Sequence, residues 1–290
     1  MTFASLFLVV LAALIHATWN LLAKRAASVG PIFVFAYNLV GFIAYAPWVI
    51  YLIAKGEVSW SWRAAGWIVL SGLIHLAYSL CLQRGYQKAD FSVVYPVARG
   101  TGPMLSTVGA ILVLGEAPND LALLGLLAVV AGIGLIATQG DLAAFRKPGS
   151  QTGVRWGTAT GGLIATYTVV DAYSVKQVGI APVVLDWFAI VLRFFLLAPL
   201  VLANPKRARD KMRGFWWLAV GVGVLSPLSY IFVLLALDLG APLSIVAPMR
   251  EMSMMVGAMM GMVILREQVG IGRLIGCAVL IVGVILLSSS

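Results

Sequence analysis

Charge is scarce in this chain. Only 11% of its 290 residues are charged, against about 25% in a soluble globular domain. No polar stretch is long enough to fold alone; the longest connections, 140–154 and 204–214, are short and rich in breakers. Cysteine is scarcer still. Cys81 and Cys277 both fall inside apolar runs, which argues against a disulfide framework and against a zinc site built from clustered ligands. There is no G-x-x-x-x-G-K-[ST] sequence to cradle nucleotide phosphates. An integral membrane enzyme would need catalytic groups gathered near one face, and the few charges here are dispersed; no cofactor is expected. The first residues carry no basic segment and no small-residue cleavage pattern, and their apolar run continues through Trp19 and Leu22. They read as a first membrane helix rather than a cleaved leader.

What the chain has in excess is hydrophobic surface: 61% of residues, with a mean hydropathy of +1.00. A membrane-spanning helix needs about 20 apolar residues. Runs of that length occur at 3–23, 31–53, 64–84, 91–114, 121–139, 155–175, 182–203, 214–236, 243–265 and 271–288. The expectation is an all-α integral membrane protein with ten transmembrane helices.

Those runs repeat. At an offset of 152, Lys24 matches Lys176, Tyr78 matches Tyr230, Ala89 matches Ala241, Pro96 matches Pro248 and Gly109 matches Gly261. At 151, Asn20 matches Asp171, Pro31 matches Pro182, Glu116 matches Glu267, Gly125 matches Gly276 and Gly132 matches Gly283. The ordered series divides the chain into five-helix units, 1–145 and 146–290. An odd number of helices per unit inverts the second in the bilayer, the architecture of many secondary transporters.

The net charge of +9 sits in short connections between apolar runs, which reads as an orientation signal and not as a nucleic-acid surface. Connections after odd-numbered runs carry fourteen Lys and Arg, and those after even-numbered runs carry three. The positive-inside rule then puts both termini outside the cytoplasm.

The stretch His16–Ala17–Thr18–Trp19–Asn20 closes the first run, and Gly115–Glu116 and Arg266–Glu267 close the fourth and ninth. With the five-plus-five repeat, these residues resemble the EamA branch of the drug/metabolite transporter superfamily over essentially the whole chain. The resemblance implies a multi-pass protein of a bacterial-type cytoplasmic (inner) membrane that exports, or sometimes takes up, small metabolites, commonly amino acids. It implies a cavity lined by spans one, three, four, six, eight and nine. It also implies cytoplasmic termini, opposite to the charge count. The His16–Asn20 opening is similar to members encoded with phosphonate-utilisation genes.

Candidate site residues follow from polar groups at membrane depth, which are costly and often functional. Arg99, Asp171, Arg193, Arg250 and Glu251 lie well inside predicted spans. One reading pairs them with one another as architecture. The other brings some of them to a substrate: three Arg against two acids leave a surplus cation, and a guanidinium fits carboxylate or phosphonate as a planar fork. Glu251 and Asp171 are candidates for a coupling proton or a substrate amine, with His16 and His75 as alternative proton carriers. Pro96 and Pro248 free backbone carbonyls and mark kinks, structural or gating. Trp48, Trp60, Trp62, Trp67, Trp216 and Trp217 lie near run ends as interface anchors. Trp19, Asn20, Tyr78, Tyr95, Tyr167 and Tyr230 lie deeper, as packing or as a cavity wall. Seven of the ten methionines fall in 249–262, filler or an adaptable surface.

The chain is thus expected to be a secondary transporter moving amino acids or related small metabolites by alternating access. Uptake of a small phosphonate-like anion and flipping of a lipid-linked sugar are the alternatives. Its partners would be the substrate and the bilayer. A monomer contains both halves of a translocation unit, so it suffices, and a dimer stays open.

Overall fold

The computed structural model describes residues 1–58, 60–89, 91–140, 143–146, 149–265 and 270–290, and all its regular elements are helical. In chain order they are α1 (Phe3–Arg25), α2 (Pro31–Ala54), α3 (Trp62–Lys88), α4 (Phe91–Leu114), α5 (Asp120–Thr138), α6 (Ala143–Arg146), α7 (Ser150–Lys176), α8 (Pro182–Leu202), α9 (Pro205–Met212), α10 (Trp216–Asp238), α11 (Leu243–Met249), α12 (Met252–Leu265) and α13 (Ile271–Ser288). Eight of them, α1 to α5 with α8, α10 and α13, are long and apolar enough to cross a bilayer. This is a multi-pass membrane protein.

Local chemistry sets the ends. Pro31 and Pro182 open α2 and α8 at first-turn positions, where a missing N–H costs nothing. Ser61, Asn119 and Asn204 cap α3, α5 and α9 by accepting from Ala64, Ala122 and Arg207 amides. The connections 140–154 and 204–214, expected to be irregular, hold the short helices α6 and α9.

Two of the ten apolar runs differ from simple apolar spans. The run around 155–175 becomes the 27-residue α7, whose Thr160, Thr168, Asp171 and Ser174 are buried. Its polar groups face protein, so the helix is less apolar than its neighbours. The run 243–265, expected as one helix, breaks into α11 and α12. Pro248 has no N–H to give and crowds the preceding turn. The chain tightens there: Glu251 N–H bonds Pro248 O at 3.0 Å, Ser253 bonds Arg250 O at 3.2 Å and Met254 bonds Glu251 O at 2.9 Å, each three residues back. Pro96, the sequence equivalent of Pro248, lies inside an unbroken α4.

Helices from the two sequence halves pack on each other. α4 runs parallel to α7, with Val93, Val97 and Thr101 over Gly153, Gly157 and Gly161. α1 runs antiparallel to α10, through Trp19–Ser229 and Leu22–Gly221. α2 runs antiparallel to α8, through Phe35–Phe194 and Phe42–Trp187. α5 runs antiparallel to α13 at very close range. A Cβ on Gly132 would lie 2.8 Å from Gly276 O, and one on Gly125 2.9 Å from Gly283 O. Such glycine contacts let backbones touch where lipid offers no hydrophobic drive.

The connections gather at two ends. At one, Glu116 reaches Lys176 and the start of α11, and Glu57, Val58 and Trp60 line a cleft with Gly179, Ile180, Ala181 and Val184. At the other, Ala26 and Val29 join Met212 in one apolar cluster, and Gln139 abuts Gly272.

Candidate functional site

The break between α11 and α12 places two charged side chains in the core. In an unbroken helix, neighbours in sequence point about 100° apart and need not meet. Here Arg250 and Glu251 are 4% and 1% exposed, and Arg250 Nε lies 3.8 Å from Glu251 Oε1. Arg99 comes from α4: its Nη2 is 2.8 Å from Glu251 Oε2 and donates to Ser253 Oγ at 3.2 Å. The Arg99 guanidinium also stands 5.9 Å from the centre of the Tyr95 ring, within cation–π range. One carboxylate therefore serves two arginines. Arg250 Nε is buried with no hydrogen-bond acceptor.

A second cluster faces this one. Asp171 on α7 is 1% exposed, and its Oδ2 accepts from Tyr230 Oη on α10 and lies 2.9 Å from His75 Nε2 on α3. His75 stacks on Tyr167 with ring centres 4.0 Å apart. Tyr78 and Tyr230, equivalent in the repeat, flank the same Tyr167 ring at 5.5 and 6.1 Å. Asp171 Oδ1 and Thr168 Oγ1 are buried without a hydrogen-bond partner. The charge of Arg250 acts on both Tyr167 and Tyr230, so the two clusters share one polar core.

The remaining expected residues fall at the margin. The His16 ring packs edge-on to Trp19 at 4.8 Å, and Trp19 donates to Ser229 at 3.2 Å, next to Tyr230. Asn20 is exposed and its amide bonds His16 O of its own helix. The structure does not bring Asn20 to the core. Pro96 and Pro248 are both buried, but only Pro248 adjoins a break. Of the tryptophans, Trp48, Trp60, Trp62, Trp216 and Trp217 are exposed as interface anchors would be, whereas Trp67 stacks on Tyr173 at 4.7 Å. Met249, Met252 and Met254 are buried filler, and Met259 is exposed.

The count of three Arg against two acids requires correction. Asp186 on α8 is a third buried acid, 5% exposed and 4.0 Å from Arg193. The two lie seven residues apart, so two helical turns bring them to one face. That i, i+7 spacing in an apolar run was the signal in the sequence. The three Arg thus stand against three buried acids, and the local excess of cation is at Arg99, Arg250 and Glu251.

At the α11 end, Glu116 ties three elements together. It accepts from the Leu243 and Ser244 amides at 2.7 and 2.9 Å, and Lys176 Nζ lies 3.3 Å away while donating to Ala241 O at 2.7 Å. These amides are the open N-terminus of α11, where a carboxylate is well placed. Burial pushes the Glu116 carboxyl up, but the two amides and Lys176 outweigh it and hold it below the usual value of 4.5. Its repeat equivalent Glu267, with Arg266, lies outside the described residues. Among the described residues no three His, Cys, Asp or Glu converge as metal ligands do.

A solved crystal structure 17% identical in sequence superposes on 100% of this chain and 98% of its own, with a TM-score of 0.76. At that identity the likeness shows the fold alone. Residues 3–138, which carry His16, Trp19, His75, Arg99 and Glu116, match the EamA-like transporter family.

Proposed function

We propose that this protein is a secondary carrier of amino acids or related small metabolites, working in export by alternating access between two inverted five-helix repeats, residues 1–145 and 146–290. The observation that carries the substrate reading is Arg250. It is a cation 4% exposed, held at a helix break, with a buried Nε that has no acceptor. A carboxylate delivered by a substrate would complete it, since guanidinium–carboxylate pairing is planar and charge-assisted. Asp171, with one oxygen unpartnered across the Tyr167 ring, suits the substrate's ammonium group. Tyr78, Tyr167 and Tyr230 would meet its side chain.

Helix directions support ten crossings rather than eight. If α7 and the α11–α12 pair both cross, then α4 and α7 are the fourth and sixth spans and must be parallel; α1 and α10 are the first and eighth and must be antiparallel. Both relations hold in the contacts. Leaving out α7 would make α1 and α10 parallel. Leaving out α11–α12 would make α5 and α13 parallel, against the antiparallel glycine contacts.

Reciprocity supports the repeat. Gly125 is equivalent to Gly276 and Gly132 to Gly283, while Gly125 touches Gly283 and Gly132 touches Gly276. Exchange of partners under equivalence is what a two-fold axis produces. Arg99 and Glu251 are themselves equivalent at offset 152 and pair directly, as positions near such an axis do. The polar core thus lies where two rocking halves would meet, consistent with transporters whose sites sit between repeats.

The test is counterflow in proteoliposomes with labelled amino acids and aminophosphonates. A charged hydrogen bond contributes about 1.5–3 kcal/mol. Saturable amino-acid exchange should therefore fall by roughly tenfold or more in Arg250→Gln, with Arg250→Lys recovering only part. Exchange of aminophosphonates alone would turn the reading to a phosphonate-like anion. Unaltered exchange in Arg250→Gln would remove Arg250 from the substrate.

A further inference from the structure

The membrane-embedded carboxylates are not equally satisfied. Glu251 is flanked by Arg99 at 2.8 Å and Arg250 at 3.8 Å. Asp171 has His75 at 2.9 Å and the Tyr230 hydroxyl. Each of the three has a buried oxygen without a hydrogen-bond partner, Glu251 Oε2, Asp171 Oδ1 and Asp186 Oδ2. Asp186 differs in having no close partner on its other oxygen either: its one ionic neighbour among the described residues is Arg193 at 4.0 Å. Arg193 is directed elsewhere: its Nε donates to Ala189 O at 3.1 Å. A buried anionic oxygen with no donor is costly, and a bound proton removes that cost.

We propose that Asp186 is a proton-binding site of the carrier, separate from the charged groups at the α11–α12 break. Its place in the fold fits coupling. Asp186 sits in the second turn of α8, the helix that packs on α2 across the two halves of the chain. Beside the first turn of α8, two residues before Asp186, lies a cleft lined by Glu57, Trp60, Ala64, Ile68, Ala181 and Val184.

The groups that act on Asp186 are Tyr45 from α2, Asp171 from α7 and Arg193 on α8 itself. Tyr37 from α2 and His75 from α3 face Arg193, and Tyr230 from α10 bonds Asp171. The basic residues of α9 follow the far end of α8. Tyr45 already donates its hydroxyl to Val224 O at 2.7 Å, so it does not serve Asp186. Asp171 and Asp186 repel each other when both are ionised, and Arg193 acts on both His75 and Asp186. A proton on Asp186 frees the Arg193 charge to act on the His75–Asp171 pair. A rotamer change that swung the Arg193 guanidinium from 4.0 Å into contact with Asp186 would release the proton. Substrate and proton are thereby linked through Arg193 without sharing a carboxylate.

The first test needs no substrate, so it is independent of the carrier reading above. Infrared spectra of the purified protein at neutral pH should contain the carbonyl stretch of a protonated carboxylic acid. Asp186→Asn should remove that band, Asp186→Glu should move it, and Glu251→Gln should leave it. No band in the unaltered protein, or one that persists in both Asp186 variants, would overturn the proposal. The second test uses proteoliposomes and labelled amino acids. In Asp186→Asn, exchange should continue while accumulation driven by an imposed pH gradient is lost. Gradient-driven accumulation equal to that of the unaltered protein would also overturn it. Were no amino acid exchanged by the unaltered protein, the substrate reading would fail while the infrared result still judged Asp186.

Discussion

Arg99 and Glu251, 152 positions apart, carry opposite charges and pair at 2.8 Å, and neither is tolerable alone. Glu251 is 1% exposed and Arg99 is 9% exposed. Removing one partner of a buried pair costs about 3–5 kcal/mol because the other is left uncompensated. Glu251→Gln is the more severe change, since it strands Arg250 as well. We expect it to lower the unfolding temperature in detergent markedly, and Arg99→Gln to do so less. The double variant Arg99→Gln/Glu251→Gln should be less destabilised than the sum of the singles, with a coupling of about 1 kcal/mol or more. Strictly additive losses would show that the 2.8 Å contact carries no energy. The presence of these charges was legible in the sequence, because a charge in an apolar run stands out. Their partners were not. Arg250 and Glu251 meet only because the helix breaks between them and the next turn, and Asp186 was passed over because it lies near the start of its run, where a charge reads as a helix end.

Among the elements, the end of α11 is where sequence and structure meet most directly. Glu116, visible beforehand only as the acidic step closing the fourth run, satisfies the Leu243 and Ser244 amides and holds Lys176. It joins the α4–α5 connection to two segments of the second half, so it fixes one end of the break. Its carboxyl is held below 4.5 in the folded protein. A carboxyl lowered on folding adds stability above its ordinary value, and that contribution is lost as pH falls through the lowered value. The unaltered protein should therefore unfold at a higher temperature than Glu116→Gln at neutral pH, and the two should converge as pH is taken down through 4.5 and below. A constant difference across that range would place the effect in packing instead of charge. Proline was a less reliable guide at this scale. Pro96 and Pro248 match at an offset of 152 and were indistinguishable as kinks, yet only the second adjoins a break.

For the whole molecule, the directions of packed helices and the repeat bear on the same architecture. The ordered recurrence of glycines and prolines was visible in the sequence; the side-by-side placement of α4 with α7, or α5 with α13, was not, since it depends on which small faces find each other. The proposed ten crossings would put Glu57 and Gln177 at one membrane face and Ser28 and Lys206 at the other. All four residues are exposed in connections or short helices. With Cys81 and Cys277 replaced, single cysteines at these positions can be labelled on intact cells by a reagent that does not cross the membrane. Glu57→Cys and Gln177→Cys should behave alike, and opposite to Ser28→Cys and Lys206→Cys. If α7 did not cross, Gln177→Cys would instead label with Ser28→Cys. The same measurement orients the protein. The end holding Ser28 and Lys206 carries fourteen Lys and Arg in its connections, against three at the other, and such an excess favours the cytoplasmic side. Lys206→Cys should then be protected until the cells are permeabilised, while Glu57→Cys reacts at once. The reverse pattern would keep the ten crossings, place both termini in the cytoplasm, and show that in this inverted pair of repeats loop charge does not set the direction of insertion.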